Sequence, residues 1–225
     1  MILDLHVHTV RGSSDSSLKV DELTAEAERA GLDGLALTEH RGPWERHELE
    51  ALRERHTGLL FVNAMEVETF DGHLTVFGLD RSAGIHDPIE LRRIADAQGA
   101  VVVMAHPFRY YLGQPERSLL FRDAVGRDRA LAELADHPIF ALVDAIEVHN
   151  GGTAASENAL ALEVARYLGK PTVGGSDAHS THGLGRSVTV LPDGIRDAQG
   201  FMEALRAGRV HAALRDASGT LHHLD

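Results

Sequence analysis

The sequence predicts an α/β fold in which helices cover a largely parallel sheet. Short runs rich in Val, Ile, Leu and Ala alternate six or seven times with helical segments along the 225 residues. The strand-like runs are apolar throughout, which is typical of strands buried on both faces. No internal repeat or break in composition divides the chain, so we expect one domain spanning residues 1–225. The pattern fits either a closed barrel or an open doubly wound sheet.

The individual elements follow from the spacing of apolar residues and from glycines at helix ends. In the first helix, for example, Val20, Leu23 and Ala27 recur at helical spacing before Gly31. The strands are expected at 2–8, 34–40, 59–67, 101–105, 145–149, 172–175 and 187–191, with 72–79 extended behind the third. The helices are expected at 20–30, 44–56, 89–97, 131–135, 158–168 and 199–207. The remaining long segments are predicted to be a loop or lid at 110–129 and a C-terminal tail at 210–225.

Composition and charge limit the class of protein. The hydrophobic content of 43% is enough for a buried core. The formal net charge of −12 argues against duplex nucleic acid or an anionic membrane as a partner, although bound divalent cations could still attract an anionic substrate. The chain has no cysteine, which excludes disulfides and thiolate zinc sites. Because it shows neither a signal-peptide pattern nor an apolar run of roughly 18 residues, we expect a cytoplasmic protein.

Histidines and carboxylates recur where the predicted strands end. The residues at or just after these ends are His6, His8, His40, Glu66, His106, Glu147, Asn150, Asp177 and His179. In parallel α/β barrels the carboxyl ends of the strands converge on one rim, so side chains far apart in sequence become neighbours there. Mixed imidazole and carboxylate ligands suit zinc, manganese or iron(II). The sequence therefore predicts a metal site on this rim.

These positions also carry a family resemblance. The segments Asp4-Leu-His-Val-His-Thr9, Leu37-Thr-Glu-His40, Met65-Glu-Val67 with Gly72-His73, Ala105-His-Pro-Phe-Arg109, Ile146-Glu-Val-His-Asn150 and Gly175-Ser-Asp-Ala-His179 resemble, in this order, the motifs of the PHP (polymerase and histidinol phosphatase) family of metal-dependent phosphoesterases. The likeness extends from residue 3 to about residue 191. One departure is Glu39, which stands where the family usually has Asp and is expected to orient His40.

The resemblance implies a distorted (β/α)7 TIM-like barrel holding two or three divalent ions, Zn, Mn or Fe. It assigns the ligands in three groups. The first ion would be held by His6, His8, Glu66 and Asp177, the second by Glu66, His73 and His106, and the third by Asp15, His40 and His179.

The chemistry that follows is hydrolysis of a phosphate ester by a hydroxide bridging two cations, since a bound cation lowers the pKa of water from about 15.7 to about 7. Glu66 would place the pair of ions. Arg109 is expected to bind phosphate oxygens through its planar fork. Three further candidates for substrate binding are Arg11, Arg186 and His149, and His182 is a candidate proton donor to the leaving group.

Other readings stay open. An amidohydrolase-like enzyme could use the same His-x-His strand end, but Lys19 and Lys170 are the only lysines and neither follows the third strand to form a carbamylated bridge. A 5′–3′ exonuclease acting on short oligonucleotides is hinted at by Tyr110, Tyr111, Arg117 and Arg122. A non-catalytic module stabilised by metal is the third alternative. The expected partner is a small phosphorylated substrate, possibly a nucleotide; the sequence does not indicate the oligomeric state.

Overall fold

The computed structural model describes residues 1–81, 84, 86–121, 129–216 and 218–224. Within these residues ten strands form one sheet in the order β10-β9-β8-β1-β2-β3-β4-β5-β6-β7. The strands are β1 (Ile2–Val7), β2 (Gly34–Glu39), β3 (Leu60–Thr69), β4 (Gly72–Phe77), β5 (Val101–Met104), β6 (Ala145–Asn150), β7 (Thr172–Gly175), β8 (Ser187–Val190), β9 (His211–Arg215) and β10 (Leu221–His223). The α-helices are α1 (Val20–Arg29), α2 (Arg46–Arg55), α3 (Pro88–Gln98), α4 (Leu131–Ala135), α5 (Ala155–Leu168) and α6 (Ala198–Arg206).

The sheet is only partly parallel. Strands β1, β2 and β3 run parallel to one another, and so do β5, β6 and β7. Strand β4 lies antiparallel between β3 and β5, and β8, β9 and β10 extend the sheet beyond β1 in antiparallel pairs. The carboxyl ends of the parallel strands lie at one edge, as the sequence predicts.

The sheet curls until the chain beyond β7 reaches β1. Val7 and Ala178 form an isolated parallel bridge, and the amide of His8 donates to the carbonyl of Ala178 at 3.0 Å. The fold is therefore mixed α/β with a curled sheet. The regular (β/α)7 barrel that we expected is not confirmed, because ten strands and six helices are found in the described part of the chain and several strand pairs are antiparallel.

The predicted elements agree with the observed ones to within about three residues at most ends, and α5 begins at Ala155 rather than at Asn158. The C-terminal tail is the exception. Residues 211–215 and 221–223 form β9 and β10, in which Ala212 and Ala213 are buried while His222 and His223 are exposed. The alternation of apolar and polar residues in these two segments is too short, and the segments are too polar, for the sequence to distinguish strands from a tail.

The core leaves the strand ends free for polar groups. At the opposite end of the strands, Phe201, Ala204 and Leu205 of α6 pack with Leu3 and Val62 of the sheet.

In the described residues, no helix has both the length and the apolarity needed to cross a membrane. Residues 122–128 of the segment predicted to be a loop or lid, Arg122 among them, lie outside the described residues; 115–117 form a single 3-10 turn.

Candidate metal centre

The structure brings all nine predicted metal ligands together. Each has a side-chain nitrogen or oxygen within 3.4 Å of that of another member. The members are His6, His8, Asp15, His40, Glu66, His73, His106, Asp177 and His179. They come from β1, β3 and β4 and from the segments that follow β1, β2, β5 and β7. We call this set the histidine cluster.

Glu66 lies at its centre. Oε1 of Glu66 is 2.9 Å from both His73 Nδ1 and His106 Nε2. Oε2 is 3.4 Å from both His8 Nε2 and His40 Nδ1. The antiparallel pairing of β3 and β4 explains how Glu66 and His73 meet, because Glu66 lies opposite Thr75, two residues from His73 on the same face of β4. Oε1 is also 3.4 Å from His6 Nε2, so the carboxylate of Glu66 faces five imidazoles.

Asp15, His40 and His179 form the more accessible side. Asp15 Oδ2 is 3.4 Å from His40 Nε2 and 3.2 Å from His179 Nε2. The rings of His40 and His179 both stack on His8, each with a centroid separation of 4.4 Å. Asp15 is exposed, whereas His6, His8 and Glu66 are buried.

The hydrogen bonding of two buried nitrogens indicates whether this arrangement suits a cation. Nε2 of His6 and Nε2 of His8 make no hydrogen bond to any described residue, although Asp177 Oδ1 is 3.6 Å and 3.2 Å away from them. A buried nitrogen without a partner is costly unless something else satisfies it. Three groups have donor atoms within 4.8 Å of one another: His6–His8–Asp177, His6–Glu66–His106 and His8–His40–His179. These groups overlap the sets that the family resemblance implies, and the residues fit divalent cations.

Glu147 orients the imidazole of His6. The Nδ1–H of His6 donates to Oε1 of Glu147 at 3.0 Å, which leaves Nε2 as the atom facing Glu66 and Asp177. The other oxygen of Glu147 accepts from the amide of His106 at 2.8 Å and from Nδ2 of Asn150 at 3.0 Å. A carboxylate on the far nitrogen of a ligating histidine fixes its tautomer and raises its basicity.

Ser13 and Glu39 do the same for His8. The Nδ1–H of His8 donates to Ser13 Oγ at 3.1 Å, and the hydroxyl of Ser13 donates to Oε2 of Glu39 at 2.8 Å. Glu39 also accepts from Nε1 of Trp44 at 3.0 Å and from the amide of Thr9 at 3.1 Å. Glu39 therefore orients His8 through Ser13. Its link to His40 is through the same hydroxyl, because the backbone amide of His40 donates to Ser13 Oγ at 3.2 Å, so Glu39 acts on the backbone of His40 rather than on its imidazole.

The cluster is strongly anionic at its centre. Burial alone would raise the pKa of Glu66 and Asp177, but His6 and the other neighbouring imidazoles hold both pKa values well below the usual range. Burial also works against protonation of His6, yet Glu147, Asp177 and Glu66 raise its pKa well above the ordinary value. Burial lowers the pKa of His8 and of His106. Ionised carboxylates and neutral imidazoles, as favoured at His8 and His106, are the ligand states that a divalent cation requires, whereas His6 would release a proton when a cation binds.

Two members of the cluster have a left-handed backbone. His106 has φ +28° and Asp177 has φ +54°. Left-handed residues other than glycine cost about 1–3 kcal/mol and persist where the surroundings enforce them, most often at functional sites. The amide of His106 is held by Glu147, and the segment after Asp177 is held by the pairing of Ala178 with β1.

Arg109 borders the cluster. Its Nη2 contacts Oδ2 of Asp177 and donates to Oδ1 of Asn150 at 2.6 Å, and its Nε donates to Oγ1 of Thr153 at 3.2 Å. Burial lowers the pKa of Arg109, but Asp177 and the nearby carboxylates raise it overall. Arg109 is therefore a guanidinium fixed at the edge of the site, which is where the sequence predicts a phosphate-binding group.

The other predicted substrate-binding residues lie apart from the cluster. Arg11 pairs with Glu48 and covers the ring of Trp44 at 4.8 Å. Arg186 and His182 are exposed and line a separate cavity with Arg29 and Arg215. The polar contact of His149 is with Ser187 Oγ at 2.8 Å. The structure does not bring Arg11, Arg186, His182 or His149 into contact with a cluster member. Arg11, Arg186 and His182 lie on loops whose direction sequence alone does not locate, and His149 of β6 is turned to Ser187 of β8.

Sequence reasoning missed two supporting residues. Asp4 is buried and accepts from the amides of Ser176 and Gly185 at 2.8 Å and 2.9 Å, and burial raises its pKa to about 6. Its position two residues before His6 on the same strand face could have revealed it. Ser13 carries no comparable sequence signal, since its contacts with His8 and Glu39 depend on tertiary packing.

Comparisons with known proteins agree with this description. The family model PHP_C, described as PHP-associated, matches residues 155–210. No curated protein matches the chain significantly. A two-domain protein of Bacteroides vulgatus, containing a predicted PHP-like metal-dependent phosphoesterase, has a similar structure at a TM-score of 0.65 and 24% identity. That match covers 94% of this chain, which spans 64% of the length of the Bacteroides protein.

Two further structures share the fold. A protein of Bifidobacterium adolescentis, assigned by prediction to the metal-dependent phosphoesterases, matches at a TM-score of 0.61 and 18% identity over 97% of this chain and 98% of its own. The lesion-specific endonuclease PfuEndoQ of Pyrococcus furiosus matches at a TM-score of 0.61 and 17% identity over 96% of this chain and 60% of its own. The resemblance to the PHP family predicted from the sequence is confirmed by the family model over residues 155–210, and these neighbours share the fold.

Proposed function

We propose that this protein is a metal-dependent hydrolase of phosphate esters, acting on a small phosphorylated metabolite or a nucleotide. The observation that carries the proposal is the pair of buried nitrogens, His6 Nε2 and His8 Nε2, which face the carboxylates of Glu66 and Asp177 without a hydrogen-bond partner in the described part of the chain. With this pair, the six imidazoles and three carboxylates of the cluster form a ligand set for more than one divalent cation.

The proposed ligand groups are the three that the family resemblance implies. His6, His8, Glu66 and Asp177 would hold one ion, Glu66 would share a second with His73 and His106, and Asp15, His40 and His179 would hold a third. Bound Zn²⁺, Mn²⁺ or Fe²⁺ would supply Lewis acidity and activated water for attack on phosphorus.

The chain's own residues prepare this site. Glu147 and Ser13 hold His6 and His8 in the tautomer that presents Nε2 to the centre. Arg109 presents its guanidinium beside Asp177, where it can bind a non-bridging oxygen of the phosphate. Asn150 and Thr153 fix that guanidinium from the other side. No such positioning supports His182 as a proton donor, because His182 is exposed and lines a different cavity.

The cavities beside the cluster suit a small substrate. One, of about 430 Å³, is lined by Asp15, His40, Glu66, Glu68 and His73. The other, of about 280 Å³, includes His73, His106 and Arg109. Volumes of this order accommodate a small molecule. The net charge of −12 disfavours duplex nucleic acid, although the likeness in fold to PfuEndoQ keeps a nuclease acting on short oligonucleotides as the second candidate.

The test is an activity screen of the full chain loaded separately with Zn²⁺, Mn²⁺ or Fe²⁺ on phosphate monoesters, diesters and short single-stranded oligonucleotides. His8→Ala and Asp177→Ala should abolish hydrolysis. The matched control is His47→Ala, which removes an exposed histidine on α2. Hydrolysis that survives both cluster substitutions would refute the proposal, as would inactivity of the metal-loaded protein on every phosphate ester.

A further inference from the structure

The smaller cavity beside the histidine cluster has a composition unlike the rest of the site. Besides His73, His106 and Arg109 it is lined by Met104, Leu119 and Leu120 and, at its far side, by Tyr110 and Arg117. No carboxylate lines it within the described residues, although the chain as a whole carries 34 acidic residues. The larger cavity, in contrast, exposes Asp15, Glu66 and Glu68. The two cavities meet at His73, so the cluster separates an acidic side from a cationic and apolar side.

A planar cation lies on the apolar side. The guanidinium of Arg117 is stacked over the ring of Tyr110 at 4.0 Å, and its Nη2 donates to the hydroxyl of Tyr110 at 3.1 Å. Its Nη1 donates to Oε1 of Gln114 at 2.9 Å, and no carboxylate pairs with it among the described residues. Stacking of this kind fixes the plane of the guanidinium and leaves its second face for another π-system. Arg117 is exposed and can meet a ligand.

The backbone beneath this pair is held in place. Tyr110 has φ +67°, a conformation that a tyrosine rarely adopts. The buried carboxylate of Glu157 accepts from the amides of Tyr110 at 3.1 Å and of Leu112 at 3.0 Å. Because the same turn begins at Arg109, the guanidinium that borders the cluster and the ring that supports Arg117 are fixed relative to each other.

We infer that this cavity binds the part of the substrate that is not the phosphate, and that this part is a flat aromatic or heteroaromatic ring. The inference rests on the proposed function, which places the phosphate at the cluster. Arg109 borders both the cluster and this cavity. The other walls of the cavity include the apolar side chains of Met104, Leu119 and Leu120, and Arg117 adds a planar cationic face. The acidic cavity is a poor place for the ring, because an apolar ring would remove water from the carboxylates that line this cavity.

The experiment measures binding by calorimetry with the metal-loaded full chain and two ligands that are not hydrolysed, phenylphosphonate and methylphosphonate. We expect the ring to improve affinity about tenfold in the unaltered protein. Arg117→Ala should reduce that advantage about fivefold while affinity for methylphosphonate changes by no more than about twofold. Leu119→Asp, which adds a carboxylate to the wall, should weaken phenylphosphonate binding more than methylphosphonate binding.

The matched control is Arg166→Ala, which removes an exposed arginine from α5 and changes the net charge equally. Metal content and circular dichroism of each variant show that folding and loading are intact. Equal affinity for the two phosphonates, or a ring preference untouched by both substitutions, overturns the inference even if phosphate esters are hydrolysed. A ring preference without hydrolysis of any ester overturns the proposed function instead. Phenyl phosphate and a nucleoside 5′-phosphate, compared as substrates, then distinguish a directly attached ring from a base.

Discussion

His6 and Glu147 form a buried pair in which Nδ1 of the imidazole lies 3.0 Å from Oε1 of the carboxylate. Both side chains are nearly inaccessible, and Glu147 accepts two further hydrogen bonds from His106 and Asn150. The pair thus joins β1, β6 and the segment after β5 behind the histidine cluster. Its importance can be measured without a known substrate.

Glu147→Ala should lower the affinity for the first metal about 10–100-fold, because the orientation and basicity of His6 depend on the carboxylate. Titration of the metal-free protein with Zn²⁺ measures the change. Glu163→Ala removes an exposed carboxylate from α5 and serves as the control. Equal affinities for the two variants would show that Glu147 has no orienting role.

Metal should also stabilise the fold, since the cluster joins strands from both halves of the sheet. At a free concentration of about 100 times Kd, a ligand that binds only the folded state adds about 2.7 kcal/mol to the free energy of unfolding. We expect urea unfolding midpoints to rise on addition of Zn²⁺ or Mn²⁺ and to return after chelation. The increase should be largely lost in His8→Ala and kept in His47→Ala; an increase of the same size in His8→Ala would contradict the assigned site.

Glu157→Ala should destabilise the protein and loosen the turn after Arg109. The substitution removes the acceptor for the amides of Tyr110 and Leu112, and each buried donor left without a partner costs about 1–3 kcal/mol. Hydrogen exchange should show faster exchange at these two amides, with little change in β1 or β2. Unaltered protection at Tyr110 and Leu112 would mean that the carboxylate does not hold the turn.

Gly175→Ala should displace His6 and Glu147 by steric conflict and so disturb the histidine cluster. A Cβ at Gly175 would lie 2.4 Å from Cβ of His6 and 2.8 Å from Oε1 of Glu147, closer than non-bonded atoms can approach. We expect a loss of stability of about 1–3 kcal/mol together with weaker metal binding. Gly58→Ala, where a Cβ meets nothing within 4 Å, should leave metal binding unchanged. Normal metal affinity in Gly175→Ala would show that His6 can move aside at little cost.

Much of the cluster could be predicted from the sequence because residues near the carboxyl ends of parallel strands lie at the same edge of the sheet. His6 and Glu66 lie in the carboxyl-terminal halves of β1 and β3, and His106 and Asp177 follow β5 and β7. A partly parallel sheet brings such positions to one edge whatever the loops do. This placement does not depend on whether the barrel is regular, so the side chains lie together although the expected (β/α)7 topology was not confirmed.

The sequence predicts less accurately the positions of residues in loops and of residues whose contacts form only when distant segments pack together. Arg11, Arg186 and His182 were candidates by charge and proximity in sequence, yet each is directed by packing that spacing does not encode: Arg11 turns to Glu48 and Trp44, and the other two line a cavity beside α1. Ser13 reaches His8 only because Glu39 and Trp44 fold the 9–13 loop back onto β2.

The left-handed backbone at His106 and Asp177 restricts which amino acids these two positions can carry. Among residues other than glycine, Asn, Asp and His are the types that enter this region most readily. Of these, Asp and His are also good ligands for divalent cations, so the conformational requirement and the coordination requirement select overlapping amino acids. A β-branched side chain would fail on both counts, and glycine would satisfy the backbone alone.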